Sequence, residues 1–271
     1  MPFLRTDGPN LYYEVVGEGE PLVLVHGSWN DHTSWQPAIE ADIRASFRVV
    51  SYDRRGHGQS EPGEGPGTRM QDEDDLADLI EALGPAPAHV AGNSFGAATA
   101  LGLAARRPEL FRTLTVHEPP LVAIVDGDPA ALEETGRTRA SIGAVLDLLR
   151  QGEHERGARL FVEEVAVGPG TWDRLPRSTR ETFVHNAPTF LGEQSDPDWA
   201  TLDLAALARC EVPVLLSGGT ESPAWLSTVL DHLAAALPRA RRQRLDGAGH
   251  IPHVTHPQEY VAALTGFIRE A

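Results

Sequence analysis

Short runs rich in β-branched residues alternate with helical patterns along most of the chain, an order that closes into a mostly parallel sheet with helices on both faces. The runs fall at 22–26, 47–52, 88–91, 113–117, 214–217 and 241–245. Two earlier runs, 3–6 and 11–16, flank the turn signal Asp7-Gly8-Pro9-Asn10 and predict an antiparallel edge hairpin. About eight strands are expected. Leu76, Leu79, Ile80 and Leu83 recur at helical spacing with acidic residues between them and Gly84 behind, which predicts a surface helix. Ser222-Pro223 predicts another helix start, an N-cap followed by proline, with Leu226, Val229, Leu230, Leu233 and Leu237 turned inward. A last helix is predicted from Pro257 through Tyr260, Val261, Leu264 and Ile268.

Between 121 and 207 the alternation breaks, because patterns such as 142–149 and 160–165 are helical and convincing strands are few. This stretch is expected to be a helical cap (lid) inserted in the sheet, leaving 1–120 and 208–271 as the core of one domain. A chain of 271 residues suffices for one such core. The Gly/Pro-rich piece 61–68 is too short for a linker and reads as a loop leading into a helix. No repeat of fixed period is present.

Composition then excludes whole classes of chemistry. Asp plus Glu total 39 against 23 Lys plus Arg, and the net charge of −16 repels phosphate backbones and anionic lipid surfaces. No nucleic-acid or membrane partner is expected. Every basic residue is arginine, which removes Schiff-base chemistry, a phosphate-binding lysine and a Ser-Lys dyad. The single cysteine, Cys210, allows neither an intramolecular disulfide nor a cysteine cluster for a metal. The N-terminus lacks the basic start and apolar run of a signal peptide, and no uncharged stretch is long enough to span a membrane, so a soluble, cytoplasmic protein is expected. The acidic balance favours a neutral, fairly apolar small molecule as partner, with Arg54 and Arg55 the residues that could overturn this. Oligomeric state is left open, a homodimer being allowed.

Gly92-Asn93-Ser94-Phe95-Gly96 lies between an apolar strand and the helix-forming run Ala97-Ala98-Thr99-Ala100-Leu101, the setting that G-x-S-x-G requires for a nucleophilic serine on a tight strand-to-helix turn. Side chains at 92 and 96 would collide with that turn, hence two glycines. The amide of Phe95, at the start of the helix, and that of Ser28, in His26-Gly27-Ser28-Trp29 after the first core strand, are the expected oxyanion donors. His26 itself is expected to shape the turn. His250, in Asp246-Gly247-Ala248-Gly249-His250 after the last strand, is the expected general base. His253 and His256 sit beside prolines with no carboxylate or cysteine cluster near them in sequence, so no metal is expected. His57, in a glycine-bearing turn, is expected to be structural.

The orienting acid has two candidates, both preserving the order serine, acid, histidine. Glu118 ends the strand at 113–117 and is costly to bury without a partner, while Glu221 precedes a helix start, where a carboxylate is favourable without catalysis. For the substrate pocket, Trp29 is placed at the acyl side, and Trp172, Phe183, Phe190 and Trp199 are aromatics that could line a cleft, although each is individually more often core packing.

With these pieces placed, the chain resembles an α/β-hydrolase over essentially its full length, and more narrowly the fungal zearalenone lactonases. His117-Glu118-Pro119 resembles the segment that supplies the acid in those lactonases, which favours Glu118. His250-Ile251-Pro252-His253-Val254-Thr255-His256-Pro257 is similar to their histidine loop, and Ser28 aligns with a residue of their oxyanion hole. The resemblance implies a Ser94-Glu118-His250 triad, hydrolysis of an ester or lactone through an acyl-enzyme, and no cofactor. His26-Gly27-Ser28-Trp29 is closer to ordinary esterases, and the elbow is similar to that of hydrolases of carbon–carbon bonds. Those hydrolases, with an arginine in the pocket for a keto-acid substrate, are one alternative. A non-catalytic small-molecule receptor on the same fold is the other.

Overall fold

The computed structural model describes residues 3–6, 8–82, 84 and 87–271. Its strands are β1 (Phe3–Arg5), β2 (Asn10–Val16), β3 (Glu20–Val25), β4 (Phe47–Tyr52), β5 (Ala88–Asn93), β6 (Phe111–His117), β7 (Val214–Gly219) and β8 (Ala240–Leu245). They form one sheet in the order β1-β2-β4-β3-β5-β6-β7-β8. β1 pairs β2, and β2 pairs β4, antiparallel; the remaining pairs are parallel. Each predicted run coincides with a strand, its ends matching or moving by up to two residues. This is the α/β-hydrolase fold expected from the sequence.

Period-two alternation divides the core between the two faces. Leu22 and Leu24 of β3 pack in one layer with Trp35, Ile39, Tyr260 and Leu264. Val23 and Val25 face the other, with Leu76, Leu79, Leu101 and Val229. Helices α1 (Gln36–Glu40), α2 (Arg69–Ala82) between β4 and β5, and α3 (Phe95–Arg106) between β5 and β6 supply part of these layers. Between β6 and β7 come α4 (Leu132–Arg150), α5 (His154–Phe161), α6 (Arg177–Ser195) and α7 (Leu204–Leu207), with no strand among the described residues there. The chain closes with α8 (Ala224–Ala236), α9 (Pro252–Thr255) and α10 (Pro257–Glu270). Among the described residues no helix is long and apolar enough to cross a membrane.

Two helical expectations need correction. The acidic residues of α2 are not a solvated face: Asp72, Glu73 and Asp75 are buried, because Arg54 reaches Asp72, Arg55 reaches Asp75 and Arg106 reaches Glu73 from neighbouring elements, with Arg69 of α2 itself joining Glu73. A periodicity read from one helix cannot reveal cations supplied by others. Leu83, assigned to the same apolar stripe, lies outside the described residues, as does Asp7 of the predicted hairpin turn. In α8, Ser222 is not the N-cap. The helix starts at Ala224, and the free amides of Ala224 and Trp225 donate to the carboxylate of Glu134 in α4, at 3.3 and 2.7 Å. A carboxylate from elsewhere in the chain thus serves the helix end.

The helices between β6 and β7 have their own apolar cluster, including Val145, Leu149, Phe161, Trp172, Phe183 and Phe190, into which Trp29 projects from the loop after β3. A polar stripe on α6, at positions 186, 189 and 193, and Asp196 just past the helix end bind this segment to the sheet. Asn186 donates to the carbonyls of Trp29 and Asn30 and accepts from the Gly58 amide, Thr189 bonds His57, Glu193 pairs with Arg54, and Asp196 accepts from the Arg69 amide. The spacings of 186, 189 and 193 put those three on one helical face.

Candidate active site

β5 runs straight into the turn at Ser94, whose φ of 54° and ψ of −123° lie where a side-chain-bearing residue is strained. The turn is held by the Ser94 amide donating to the His117 carbonyl at 2.9 Å and by the Ala97 and Ala98 amides donating to the Ser94 carbonyl. A Cβ on Gly92 would stand 2.6 Å from the Gly96 carbonyl, and one on Gly96 would strike the carbonyls of Val25 and His26. Both glycines are thus required by crowding around the turn. Gly27 makes the same allowance from the facing loop, since a Cβ there would lie 3.0 Å from the Ser94 Cβ.

Of the two candidate acids, the structure brings Glu118 to His250. The Glu118 Oε2 accepts from His250 Nδ1 at 2.8 Å, and Oε1 accepts from the Gly219 amide, also at 2.8 Å. Because a carboxylate only accepts, His250 carries its proton on Nδ1, and its Nε2 keeps a free lone pair. Glu118 is 1 % exposed and adopts a left-handed φ of 47°. Glu221 is exposed, its amide bonded to the Ala248 carbonyl. Asn93 of the elbow donates to the His250 carbonyl at 2.8 Å, tying the histidine loop to the serine turn.

Burial alone would raise the Glu118 carboxyl, but the adjacent His117 ring and the hydrogen bond from His250 outweigh it and hold the group down from 4.5 to about 2. A depressed carboxyl contributes stability that is complete above its unfolded value and lost as the pH falls from 4.5 toward 2. Unfolding free energies measured across that window should therefore drop more steeply for the native chain than for Glu118→Gln. Parallel curves would show that the pairing has no such effect. Burial moves His117 down to about 4, so its ring is charged only in the acid range in which Glu118 itself titrates and is an uncharged neighbour at neutral pH. Its Nδ1 meets the Ser217 hydroxyl at 3.0 Å and its Nε2 the Gly249 carbonyl at 3.2 Å, which brackets the histidine loop from below.

The proposed oxyanion donors come from two different elements: Phe95 is the first residue of α3, where amides have no intrahelical acceptor, and Ser28 is in the loop after β3. Neither amide donates to another described residue. Two cavities meet at Ser94, sharing Ser28, Phe161, Ala166 and His250 as walls. The larger, about 220 Å³, is lined by Phe183, and the smaller, about 50 Å³, by Phe190 and Trp199. Trp29 and Trp172 line neither, correcting their placement in the pocket. Trp29 is fully buried with its ring 4.9 Å from that of Phe161, and Trp172 packs into the same cluster. Their apolar area was better satisfied by packing the helices together than by facing a cleft. Phe161 takes the lining position, and only its place on a helical pattern hinted at it in the sequence.

Behind Phe95 lies a polar network that spacing along the chain could not reveal. The Arg54 guanidinium is fully buried, stacks 4.6 Å from the Phe95 ring centroid, and pairs with Glu193 and, at 3.4 Å, with Asp72. His57 Nδ1 donates to the Arg55 carbonyl while its Nε2 accepts from Arg54, a bonding pattern that fits a structural histidine. His26 bonds the Gly27 carbonyl and accepts from the Arg54 amide, shaping the loop as expected. Asp31, His32 and Asp53 bring three potential metal-ligating atoms within 4.8 Å of one another. Asp53 already accepts from both His32 nitrogens that face it and Asp31 from Thr33, so the group reads as a hydrogen-bonded turn.

The model of the family described as "Alpha/beta hydrolase family" matches residues 22–264. A pimeloyl-(acyl-carrier protein) methyl ester esterase of Chromobacterium violaceum is 31% identical, over 94% of this chain and 96% of its own. A 3-oxoadipate enol-lactonase 1 of Acinetobacter baylyi is 26% identical, over 97% and 94% of the two chains. Among solved structures, an alpha/beta hydrolase from Sphaerobacter thermophilus superimposes with a TM-score of 0.79 at 29% identity, covering 98% of this chain and 99% of its own.

Proposed function

The chain belongs to the alpha/beta hydrolase family, and from that membership we propose that it is a serine hydrolase of an uncharged carboxylic ester or lactone. The observation that carries this reading is that Ser94 and His250 line the same two cavities, with His250 hydrogen-bonded from behind to Glu118. His250 Nε2 takes the Ser94 proton as Oγ bonds to the carbonyl carbon, and the amides of Ser28 and Phe95 hold the resulting oxyanion. The bond from that carbon to the alcohol oxygen then breaks, and His250 returns the proton to the departing oxygen. Water, deprotonated by His250, releases the acyl group and restores Ser94. Glu118 keeps the imidazole in the required tautomer and stabilises its cation without taking the proton. The helices between β6 and β7 act as a cap that closes over the two cavities.

An esterase and an enol-lactonase among the relatives favour this class of bond. None of the described residues lining the two cavities is arginine, aspartate or glutamate, and the chain has no lysine. An uncharged substrate matches such walls, and a keto-acid, the substrate of the carbon–carbon hydrolase alternative, finds no cation there. A macrolactone of the zearalenone type is the finer form of the proposal. Hydrolysis of p-nitrophenyl butyrate and of zearalenone, followed chromatographically with Ser94→Ala as blank, tests both levels. Cleavage of the simple ester is expected, and cleavage of zearalenone as well would extend the reading to macrolactones. Cleavage of the simple ester alone would remove the macrolactone, and cleavage of neither would remove the hydrolase.

A further inference from the structure

The two cavities differ in chemistry as well as in size, and the difference assigns the halves of the substrate. This inference rests on Ser94 and His250 acting as proposed above. The departing oxygen must receive its proton from His250, so the alcohol half has to extend along the histidine loop. Both cavities touch His250, but only the larger continues past it along Ile251, His253 and Val254. The smaller turns away, toward Phe95, Val122, Ile142, Trp225 and Leu226. Its volume of about 50 Å³ admits only a few heavy atoms.

The walls of the larger cavity also carry hydroxyls, among them Thr33, Ser34 and Thr182. All three hydroxyls are directed to one residue: Thr33 Oγ1 donates to Asp31 Oδ1 at 2.5 Å, Ser34 Oγ to the Asp31 carbonyl at 2.9 Å, and Thr182 Oγ1 to Asp31 Oδ2 at 3.5 Å. A hydroxyl has one proton and two lone pairs. With their protons committed to Asp31, these side chains meet a ligand as acceptors. No aspartate, glutamate or arginine lines the cavity among the described residues, so the matching donor is a neutral hydroxyl. His253 contributes an uncharged ring to the same space, burial having moved it to about 3. Its Nδ1 has no hydrogen-bond partner among the described residues.

We propose that the natural substrate joins a short apolar acyl group, seated in the smaller cavity, to a larger uncharged alcohol that bears at least one further hydroxyl, read by the Thr33, Ser34 and Thr182 oxygens. The test uses the full chain with three esters in a pH-stat: butyl butyrate, 2,3-dihydroxypropyl butyrate and 2,3-dihydroxypropyl octanoate. The dihydroxypropyl butyrate is expected to exceed butyl butyrate in kcat/KM about tenfold, and the octanoate to fall about tenfold or more below the butyrate. In Ser34→Ala/Thr182→Val, checked for native melting by circular dichroism, the preference for the hydroxylated ester should vanish through a raised KM. Esters cleaved by Ser94 with butyl butyrate equal or better, or with octanoate unimpaired, would overturn this assignment and leave the hydrolase reading standing. No cleavage of any ester, or cleavage that survives Ser94→Ala, would overturn both.

Discussion

Glu118→Gln is expected to lower kcat on p-nitrophenyl butyrate about 10⁴-fold with KM little changed, and Glu221→Ala to leave both where they were. The carboxylate of Glu118 stands between two N–H donors, the Gly219 amide and His250 Nδ1. A carboxamide has only one oxygen to offer them. If that oxygen stays with the Gly219 amide, which is fixed at the end of β7, the amide nitrogen faces His250 and forces the imidazole to accept through Nδ1. The proton then resides on Nε2, the nitrogen that must take the proton of Ser94. The fold survives and the base is in the wrong tautomer, which is why the loss falls on kcat. Glu221 is exposed and its backbone, not its carboxylate, holds the Ala248 carbonyl. A steep loss in Glu221→Ala beside an active Glu118→Gln would exchange the two assignments.

The contrast between these two glutamates shows what the sequence could and could not disclose. Strands were legible because burial on both faces demands continuous β-branched runs, and Ser94 and His250 because their local motifs fix a turn and a loop at the ends of such runs. Glu118 was favoured over Glu221 by an argument of cost, that a carboxylate ending an apolar strand needs partners, and its partners are 101 and 132 residues away. The same argument was available for Asp72, Glu73 and Asp75 but was masked by the helical pattern around them. Long-range pairings of this kind have no signature in spacing. Nor has the difference between an aromatic that lines a cavity and one that packs behind it, as Trp29 and Phe161 demonstrate, since both satisfy the same apolar demand.

The largest stability effect should come from one of those concealed pairings. Arg54→Leu is expected to destabilise the fold by about 3–5 kcal/mol, the usual cost of stranding buried charge by removing its partner. Arg54 is the cation shared by Asp72 of α2 and Glu193 of α6, both buried, and it also carries the ring of Phe95. Burial already raises the Glu193 carboxyl to about 7 against the pull of Arg54. An acid whose folded value is raised favours the folded state in acid, and that contribution disappears as the pH rises from 4.5 toward 7. Without Arg54 the two carboxyls must be neutralised by protons instead, so the deficit of Arg54→Leu should be larger at pH 8 than at pH 5. Adding Glu193→Gln to Arg54→Leu should recover part of the loss, and the recovery should be greater at the higher pH. Denaturant titrations of the four proteins of this cycle measure each quantity directly. A deficit that is small, or equal at both pH values, would mean that Asp72 and Glu193 find water once the arginine is gone, and that the contacts of Asn186, Thr189 and Asp196 alone hold α6 against the sheet.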